Sequence, residues 1–436
     1  MEAQVANSKR EPSIRYNLAW QTASNLGVAG VGGIYLLYMG RTLGAAGFGL
    51  YALVTGVATF AFAAIDLRAH EATVKWASDW RKTPDEAERS IRSLFAADAV
   101  GRSLVWLLLI ISAPAVGTWL LHDRSKTSLM LVAGFGAFLS KLGNNSALGT
   151  LRALGRFDWQ GGILIGAWLL KLLLAAILLS AYHIGVLGLV TLNYGCDSAG
   201  NLTTIIKAIS ELRKRGLWTK TILSARPRLA PNLRQFVFHA VGISISDSLL
   251  RELDTVIVGA TLPLATVGVY RMAKNIATLV WRGLDPVGSV LMPEFSRLAA
   301  TFNYNRIIAI GLRATVFLLA VVVVALIAGA ILLPIAVPLI LGPGFADVPA
   351  ATLIMLSGLL VGAPLLWVYA LWVAAGRLGM QLVANATSAT VACVLFLSLT
   401  PLFGLKGAAA SFAVAISLPF VLSLGLWKLA GERHTK

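Results

Sequence analysis

RTLGAAGFGLYAL, residues 41–53, aligns with ATLPLATVGVYRM, residues 260–272, which begins 219 positions later in the chain. A second set of matches lies at an offset of 221, and two further glycines match again at 219. The offset is about half of the 436-residue chain, so these matches indicate an internal duplication that organises the whole fold. The matched pairs are Thr42/Thr261, Leu43/Leu262, Ala46/Ala265, Gly49/Gly268, Tyr51/Tyr270, Ala153/Ala374, Gly155/Gly376, Arg156/Arg377, Gln160/Gln381, Gly185/Gly404 and Gly188/Gly407.

The composition places the chain in a membrane. Hydrophobic residues make up 57% of it and charged residues only 13%, whereas soluble domains carry about 25% charged residues. Apolar stretches of about 20 residues, each long enough to cross about 30 Å of hydrocarbon, recur from Leu18 to Trp427. A soluble enzyme, a disordered chain and a secreted disulfide scaffold are therefore excluded, and we predict an all-α polytopic membrane protein.

Hydropathy predicts about twelve membrane spans. Basic residues concentrate in alternate loops, which include residues 77–93 and 207–235. The intervening loops contain only Arg41, Arg124, Lys126 and Lys406. This bias predicts that both termini are cytoplasmic, and its alternation requires an even number of spans. The spans are centred near Gly30, Thr59, Leu108, Phe138, Leu172, Tyr194, Ser248, Thr278, Val322, Leu360, Ala389 and Val414.

The duplication and the spans together predict two six-helix lobes. An even number of spans per half keeps both copies in the same orientation, so the lobes should be related by a pseudo-two-fold axis along the membrane normal. We assign residues 1–206 to the first lobe, 207–235 to a basic cytoplasmic linker and 236–436 to the second lobe. In membrane transporters that are built from internal repeats, the substrate site lies between the repeats near the midplane of the bilayer.

Neither the cysteines nor the histidines suggest a metal or catalytic site. Cys196 and Cys393 form no CxxC pair, and the five histidines show no HExxH spacing. The GxxxxGK[ST] phosphate loop is also missing from the sequence. The formal charge of +17 follows from the positive-inside bias and needs no nucleic-acid partner. We therefore predict a protein that is not an enzyme and uses no metal or other cofactor.

Ionisable residues inside the predicted spans are the candidate functional groups, because a charge at the bilayer centre costs about 2.5–3.5 kcal/mol and normally faces a bundle interior or a wet cavity. Asp98 and Arg102 are four residues apart and share one helical face. They are equally well explained as a neutralised structural pair. The same holds for Asp247 with Arg251, and Asp254 lies on their face.

A cationic stripe on the eighth span is harder to explain as structural pairing. Arg271, Lys274 and Arg282 lie at helical spacing, and no acidic residue is within one turn of Arg271 or Lys274. This favours a ligand role for these two cations. Arg282, like Lys141, is also explained by snorkelling to the cytoplasmic face. Lys171 stands alone in its span.

An anionic ligand would suit these cations, because arginine presents a planar donor fork to phosphate oxygens and lysine a point charge. Embedded carboxylates, in turn, suit proton or sodium relays. The candidate ion-coupling residues are Asp98, Asp247 and Asp254. The candidate substrate-binding residues, which include two amides on a common face of the first span, are Arg102, Arg251, Arg271, Lys274, Arg282, Asn25 and Gln21.

Several segments together resemble a known family. After the first span and residues 41–53 come DLRAHEATVKW (66–76), LRALGRF (151–157) and LDTVIVGATLPLATVGVY (253–270). MPEFSRL (292–298), AAGRLGMQLVANA (374–386) and FGLKGAAAS (403–411) follow. This order resembles the polysaccharide-biosynthesis (Wzx-type) oligosaccharide flippases of the multidrug/oligosaccharidyl-lipid/polysaccharide exporter superfamily. One departure is Ala45-Ala46, where the family often has a proline and an acidic residue.

The resemblance implies a pair of lobes with alternating access in the bacterial inner membrane. It implies transport of undecaprenyl-pyrophosphate-linked oligosaccharide repeat units from the inner to the outer leaflet. The partners it implies are that lipid-linked oligosaccharide, the membrane lipids and other polysaccharide-assembly proteins.

Two other functions stay open. An ion-coupled multidrug exporter would use the same architecture, although cationic drugs would favour a negative cavity and the spans here carry more basic than acidic residues. A membrane glycosyltransferase or polymerase would usually need a sizeable outer loop, and the predicted outer loops are all short.

Overall fold

The computed structural model of the chain describes residues 14–77, 84–121, 123–182, 184–218, 231–301, 303–374 and 378–432, and their backbone is almost entirely helical. The α-helices in chain order are α1 (Ile14–Ala64), α2 (Ala69–Ala77), α3 (Pro84–Ala115), α4 (Thr127–Lys141), α5 (Asn144–Ala153), α6 (Phe157–Tyr182), α7 (Val186–Lys214), α8 (Pro231–Arg251), α9 (Leu253–Thr261), α10 (Leu264–Ala300), α11 (Tyr304–Leu341), α12 (Val348–Gly362), α13 (Leu366–Ala374) and α14 (Leu378–Glu432).

Six helical segments in the described residues are long and apolar enough to cross a membrane, so the chain is a multi-pass membrane protein. On α11 the residues Val316, Val324, Ile331, Ile335 and Leu339 are 61–74% exposed. An apolar surface of this kind needs lipid rather than water around it. The six segments are Trp20–Ala64, Pro84–Leu120, Phe157–Tyr182, Asn305–Leu341, Pro343–Trp372 and Gly379–Trp427.

Two of these segments each contain two predicted spans. Trp20–Ala64 has 45 residues and Gly379–Trp427 has 49, and a helix of 45 residues is about 68 Å long, twice the thickness of the hydrocarbon core. Both are interrupted by a glycine with a non-helical backbone, Gly44 at φ 66° and Gly404 at φ 58°. These glycines adopt the left-handed region at little cost because they lack a Cβ atom.

Four of the twelve predicted span centres lie on helices outside the six segments. The centre near Phe138 lies on α4, which has only 15 residues. Those near Tyr194, Ser248 and Thr278 lie on α7, α8 and α10, which carry many polar residues. The structure therefore establishes an all-helical membrane protein, and the count of twelve spans stays a prediction.

The chain forms two compact units whose boundaries differ from the predicted lobes. The second half of α1 belongs to unit 2, so this helix contributes to both. Within the predicted linker, α7 continues to Lys214, and residues 219–230 lie outside the described part of the chain. Unit 1 takes in the described residues of Met1–Leu36, Ala61–Thr118 and Asp123–Ile245, and unit 2 those of Leu37–Phe60, Trp119–His122 and Ser246–Lys436.

Inside unit 2, the two copies of the repeated segment pack directly against each other. A Cβ atom on Gly49 would overlap the carbonyl oxygen of Leu264, and one on Gly268 would overlap the carbonyl oxygen of Ala45. The contact is reciprocal, because Ala45 and Leu264 are also equivalent positions in the repeat. It therefore has the local two-fold character of an isologous interface.

The matched threonines of the repeat make the same hydrogen bond, one that other helical threonines of the chain also make. Thr42 donates its hydroxyl to the carbonyl oxygen of Tyr38 at 2.9 Å, and its counterpart Thr261 donates to that of Ile257 at 2.9 Å. The bond spans four residues in both copies. The two matched threonines therefore have the same local hydrogen bonding. The partner positions Gly376 and Arg377 of the second set of matches lie outside the described residues.

Candidate functional site

The polar residues of unit 2 gather where one helix breaks. α8 ends at Arg251 and α9 begins at Leu253, with Glu252 between them at φ −125° and ψ −26°. The break leaves the Arg251 carbonyl oxygen available, and the Nζ atom of Lys274 on α10 donates a hydrogen bond to it. Lys274 thereby supplies a donor to a backbone acceptor in the interior, where such groups need partners.

Lys274 also pairs with a buried carboxylate. Its Nζ lies 2.8 Å from Oδ1 of Asp254, and the Tyr270 hydroxyl donates to Oδ2 of the same side chain. Asp254, Tyr270 and Lys274 are 2%, 0% and 7% exposed. The expectation that the cationic stripe lacks acidic partners is therefore wrong, since α9 supplies the carboxylate from another helix. Lys274 is fully engaged in holding the break together.

Arg271 is held more loosely. Its Nη1 donates to the Thr255 hydroxyl at 3.1 Å and lies 3.8 Å from Oε2 of Glu252. That separation makes an ion pair but exceeds hydrogen-bond distance. Oε2 of Glu252 is buried and has no hydrogen-bond partner among the described residues. The Arg271 and Glu252 side chains keep 23% and 25% of their surface exposed.

Two further predicted cations of unit 2 are exposed. Arg251 stands next to the break, and Arg282 lies 11 residues after Arg271 on α10, close to the same helical face. Neither guanidinium forms a hydrogen bond or an ion pair with any residue in the part of the chain that the structure describes. Asp247, one turn before Arg251, is half-buried. Unit 2 thus contains one firmly bonded cation, Lys274, one loosely held cation, Arg271, and two exposed cations, Arg251 and Arg282.

Unit 1 contains a separate network around Arg102. As the spacing predicts, Nε of Arg102 donates to Oδ1 of Asp98 at 3.2 Å. Nη2 lies 3.0 Å from Oδ2 of Asp66, and Nη1 donates to the Phe62 carbonyl oxygen at 2.6 Å. The Arg102 side chain is 3% exposed. Every guanidinium nitrogen is occupied, so this geometry does not favour the predicted role of Arg102 in binding substrate.

Asp66, in the turn between α1 and α2, was missed by the sequence reading. Both its carboxylate oxygens accept from Nδ2 of Asn145 at 2.9 Å. Burial alone would raise the pKa of the Asp66 carboxyl, but the charge and hydrogen bond of Arg102, with bonds from Arg68 and Asn145, outweigh burial and hold that pKa below its ordinary value. Asp66 therefore stays ionised and neutralises Arg102.

Lys171, which stands alone in its predicted span, has an acidic neighbour on another helix of unit 1. Nζ of Lys171 lies 2.7 Å from Oδ1 of Asp197 on α7 and 4.5 Å from the Trp168 ring centroid. Lys141, at the end of α4, has an exposed side chain. The snorkelling of Lys141 stays a prediction.

The amides of the first span lie in unit 1 as well. Nε2 of Gln21 donates to Oδ1 of Asn25 at 3.2 Å, which confirms that they share a helical face. Asn25 is exposed. The predicted site residues are thus divided: Gln21, Asn25, Asp98 and Arg102 belong to unit 1, and Asp247, Arg251, Asp254, Arg271, Lys274 and Arg282 belong to unit 2.

The fold is that of known membrane transporters. It is similar to the lipid II flippase MurJ in an inward closed conformation, with a TM-score of 0.71, 14% identity and coverage of 94% of this chain and 87% of that one. An inward-facing multidrug resistance MATE family transporter of the MOP superfamily gives a TM-score of 0.69, 13% identity and 96% coverage of both chains. A MOP superfamily transporter from Pyrococcus furiosus gives a TM-score of 0.64 and 14% identity, with coverage of 96% of this chain and 94% of that one.

These similarities define the class: a polytopic helical membrane protein with the MOP superfamily fold. The family follows from sequence. A profile of the family described as "Polysaccharide biosynthesis protein" matches residues 14–299, more than half of the chain. The chain belongs to this family, and the resemblance stated from its motifs is confirmed at that level. A comparison with curated proteins gives no match.

Proposed function

We propose that this protein is a flippase that moves undecaprenyl-pyrophosphate-linked oligosaccharide repeat units across the bacterial inner membrane for polysaccharide assembly. Membership of the polysaccharide biosynthesis family supports the pathway. The likeness to a lipid II flippase supports a lipid-linked substrate. Both termini would be cytoplasmic, as the distribution of basic loops predicts.

Arg251 and Arg271 bind the pyrophosphate. The observation that carries this assignment is an exposed Arg251, whose guanidinium has no partner among the described residues, beside a loosely held Arg271 at a break between two helices. Transporters commonly build their substrate sites on discontinuous helices. Arginine matches phosphate oxygens with two parallel donors. Arg282 extends the cationic face along α10, while Lys274 acts indirectly by holding the break in shape.

The rest of the substrate needs different surroundings. The sugar portion requires hydrogen-bonding side chains, and Gln21 and Asn25 on the first span are suited to it. The polyprenyl tail is as apolar as the lipid and stays in the bilayer. Of the candidate ion-coupling residues, Asp254 is neutralised by Lys274, and Oδ2 of Asp98 is buried with no hydrogen-bond partner in the described part of the chain. Transport that ignores both proton and sodium gradients would remove Asp98, Asp247 and Asp254 from the coupling role.

Alternating access would arise from the duplicated halves. The reciprocal contact of Gly49 with Leu264 and of Gly268 with Ala45 supports a pseudo-two-fold relation between the two copies of the repeat. Six spans per half, with residues 1–206 and 236–436 as the two lobes, remains the arrangement we propose. Each lobe would then carry an equivalent share of the conformational change.

The test is the double substitution Arg251→Gln and Arg271→Gln in a deletion strain complemented with the gene. We expect export of the lipid-linked saccharide to fall at least about tenfold, because each lost charge-assisted hydrogen bond is worth about 1.5–3 kcal/mol. The measurement is a leaflet-resolved analysis of undecaprenyl-linked saccharide, which should accumulate in the inner leaflet.

A matched control is Arg297→Gln, which removes an exposed guanidinium that pairs with Glu294 at 2.7 Å on the same helix, α10. Its export should equal that of the wild type. If the double variant is present at normal abundance and exports normally, Arg251 and Arg271 are not the phosphate ligands.

A further inference from the structure

The two ion pairs beside the helix break differ in distance and in hydrogen bonding. Lys274 and Asp254 are 2.8 Å apart and share a fully bonded network. Arg271 and Glu252 are 3.8 Å apart, and Oε2 of Glu252 is buried without a hydrogen bond in the described part of the chain. An unsatisfied buried oxygen is unfavourable, so the Arg271–Glu252 pair is the weaker one.

From this contrast, and resting on the proposed function, we propose that Glu252 is an internal substitute for the substrate's phosphate. In the empty protein the Glu252 carboxylate neutralises Arg271. When the pyrophosphate arrives it takes over Arg271, and the Glu252 side chain moves aside. Glu252 is thus a specificity-determining residue that makes the site demand a densely charged anion.

The chemistry favours this exchange. A phosphate can accept two parallel hydrogen bonds from a guanidinium, whereas Glu252 offers Arg271 only a contact beyond hydrogen-bond distance. An anion with one charge gains less from displacing the carboxylate than a pyrophosphate does, because the Coulomb energy scales with the ligand's charge. The resident carboxylate therefore discriminates against weakly charged anions.

The position of Glu252 allows the movement. It is the single residue between α8 and α9, and its backbone is already outside the helical region. Turning the side chain away from Arg271 breaks no hydrogen bond of Oε2, because Oε2 has none among the described residues. Lys274 meanwhile keeps the Arg251 carbonyl oxygen and Asp254 in place, so the break persists when Glu252 leaves.

The test measures binding of inorganic pyrophosphate to the purified full chain in lipid nanodiscs by titration calorimetry. Glu252→Gln removes the competing charge and should bind pyrophosphate about fivefold more tightly than the wild type, as expected for a partly exposed ion pair. Its preference for pyrophosphate over inorganic phosphate should shrink. Glu252→Asp, whose shorter side chain reaches Arg271 less well, should lie between the two and serves if the glutamine variant does not fold.

Two controls separate this inference from the proposed function. Glu294→Gln makes the same charge change at an exposed pair on α10 and should bind as the wild type does. Arg271→Gln should lose pyrophosphate binding. If Arg271→Gln loses binding but Glu252→Gln and Glu252→Asp bind no more tightly than the wild type, the role of Glu252 is overturned and the phosphate site stands. If pyrophosphate binds neither the wild type nor Glu252→Gln, or binds Arg271→Gln unchanged, both proposals fail.

Discussion

Gly49→Ala should destabilise the purified protein by about 3 kcal/mol, the upper range for a methyl group forced into a packed interior. The new Cβ atom would overlap the carbonyl oxygen of Leu264, which is backbone and cannot rotate away. Gly268→Ala should do the same through the carbonyl oxygen of Ala45. Thermal unfolding in detergent, followed by intrinsic tryptophan fluorescence, measures the loss for each variant.

The matched control is Gly30→Ala, also on α1. A Cβ atom at Gly30 meets no atom within 4 Å, so alanine should be neutral or stabilise the helix by about 0.5–1 kcal/mol. The double variant Gly49→Ala/Gly268→Ala should lose less than the sum of the two single losses, because both methyl groups push the same two backbones apart. Equal unfolding temperatures for Gly49→Ala and Gly30→Ala would show that the two copies of the repeat are not in contact.

Lys274→Met should cost about 3–5 kcal/mol of stability, the range found when one member of a buried ion pair is removed. Methionine leaves the buried Asp254 carboxylate without its cation and the Arg251 carbonyl oxygen without its donor. The measurement is again thermal unfolding, together with the amount of folded protein recovered from membranes.

Two companion variants make the Lys274 result specific. Lys406→Met makes the same substitution at an exposed lysine of α14 and should change stability little. Adding Asp254→Asn to Lys274→Met should recover part of the loss, since a neutral amide is cheaper to bury than an unpaired charge. If Lys274→Met unfolds at the wild-type temperature, Lys274 does not stabilise the helix break, and the prediction that it binds phosphate is favoured again.

Features that depend on spacing along one helix could be predicted from the sequence. The Asp98–Arg102 bond and the Gln21–Asn25 bond both join residues four apart, where helical geometry places neighbours. The internal repeat was also visible, because equivalent positions keep equivalent residues. Its glycines turned out to be the contact between the two copies.

Features that depend on packing between helices could not be predicted. Lys171 with Asp197 and Lys274 with Asp254 join residues from different helices, and no local spacing encodes such a pairing. This is why Lys274 was assigned to the ligand although its carboxylate partner lies 20 positions earlier. A single sequence gives the inventory of embedded charges but not their partners.

The helix break at Glu252 had no signal in the sequence. Kinks usually arise at glycine or proline, and the kinks at Gly44 and Gly404 follow that rule. Around Glu252, the residues Leu250, Arg251 and Leu253 form helices readily. The bonds of Lys274 on α10 to the Arg251 carbonyl oxygen and to Asp254 join the two sides of the break, and no spacing along the chain encodes these bonds.

Reconstituted flipping tests the whole mechanism in one assay. Purified protein is placed in liposomes that carry fluorescent undecaprenyl-pyrophosphate-linked oligosaccharide, and the fraction reaching the opposite leaflet is followed with an impermeant quencher. Wild-type protein should flip this lipid. The double variant Arg251→Gln/Arg271→Gln, equally folded and equally incorporated, should flip it at no more than about a tenth of the wild-type rate. Equal rates for the wild type and this variant, or a wild-type rate no higher than that of empty liposomes, would contradict a phosphate-guided flippase.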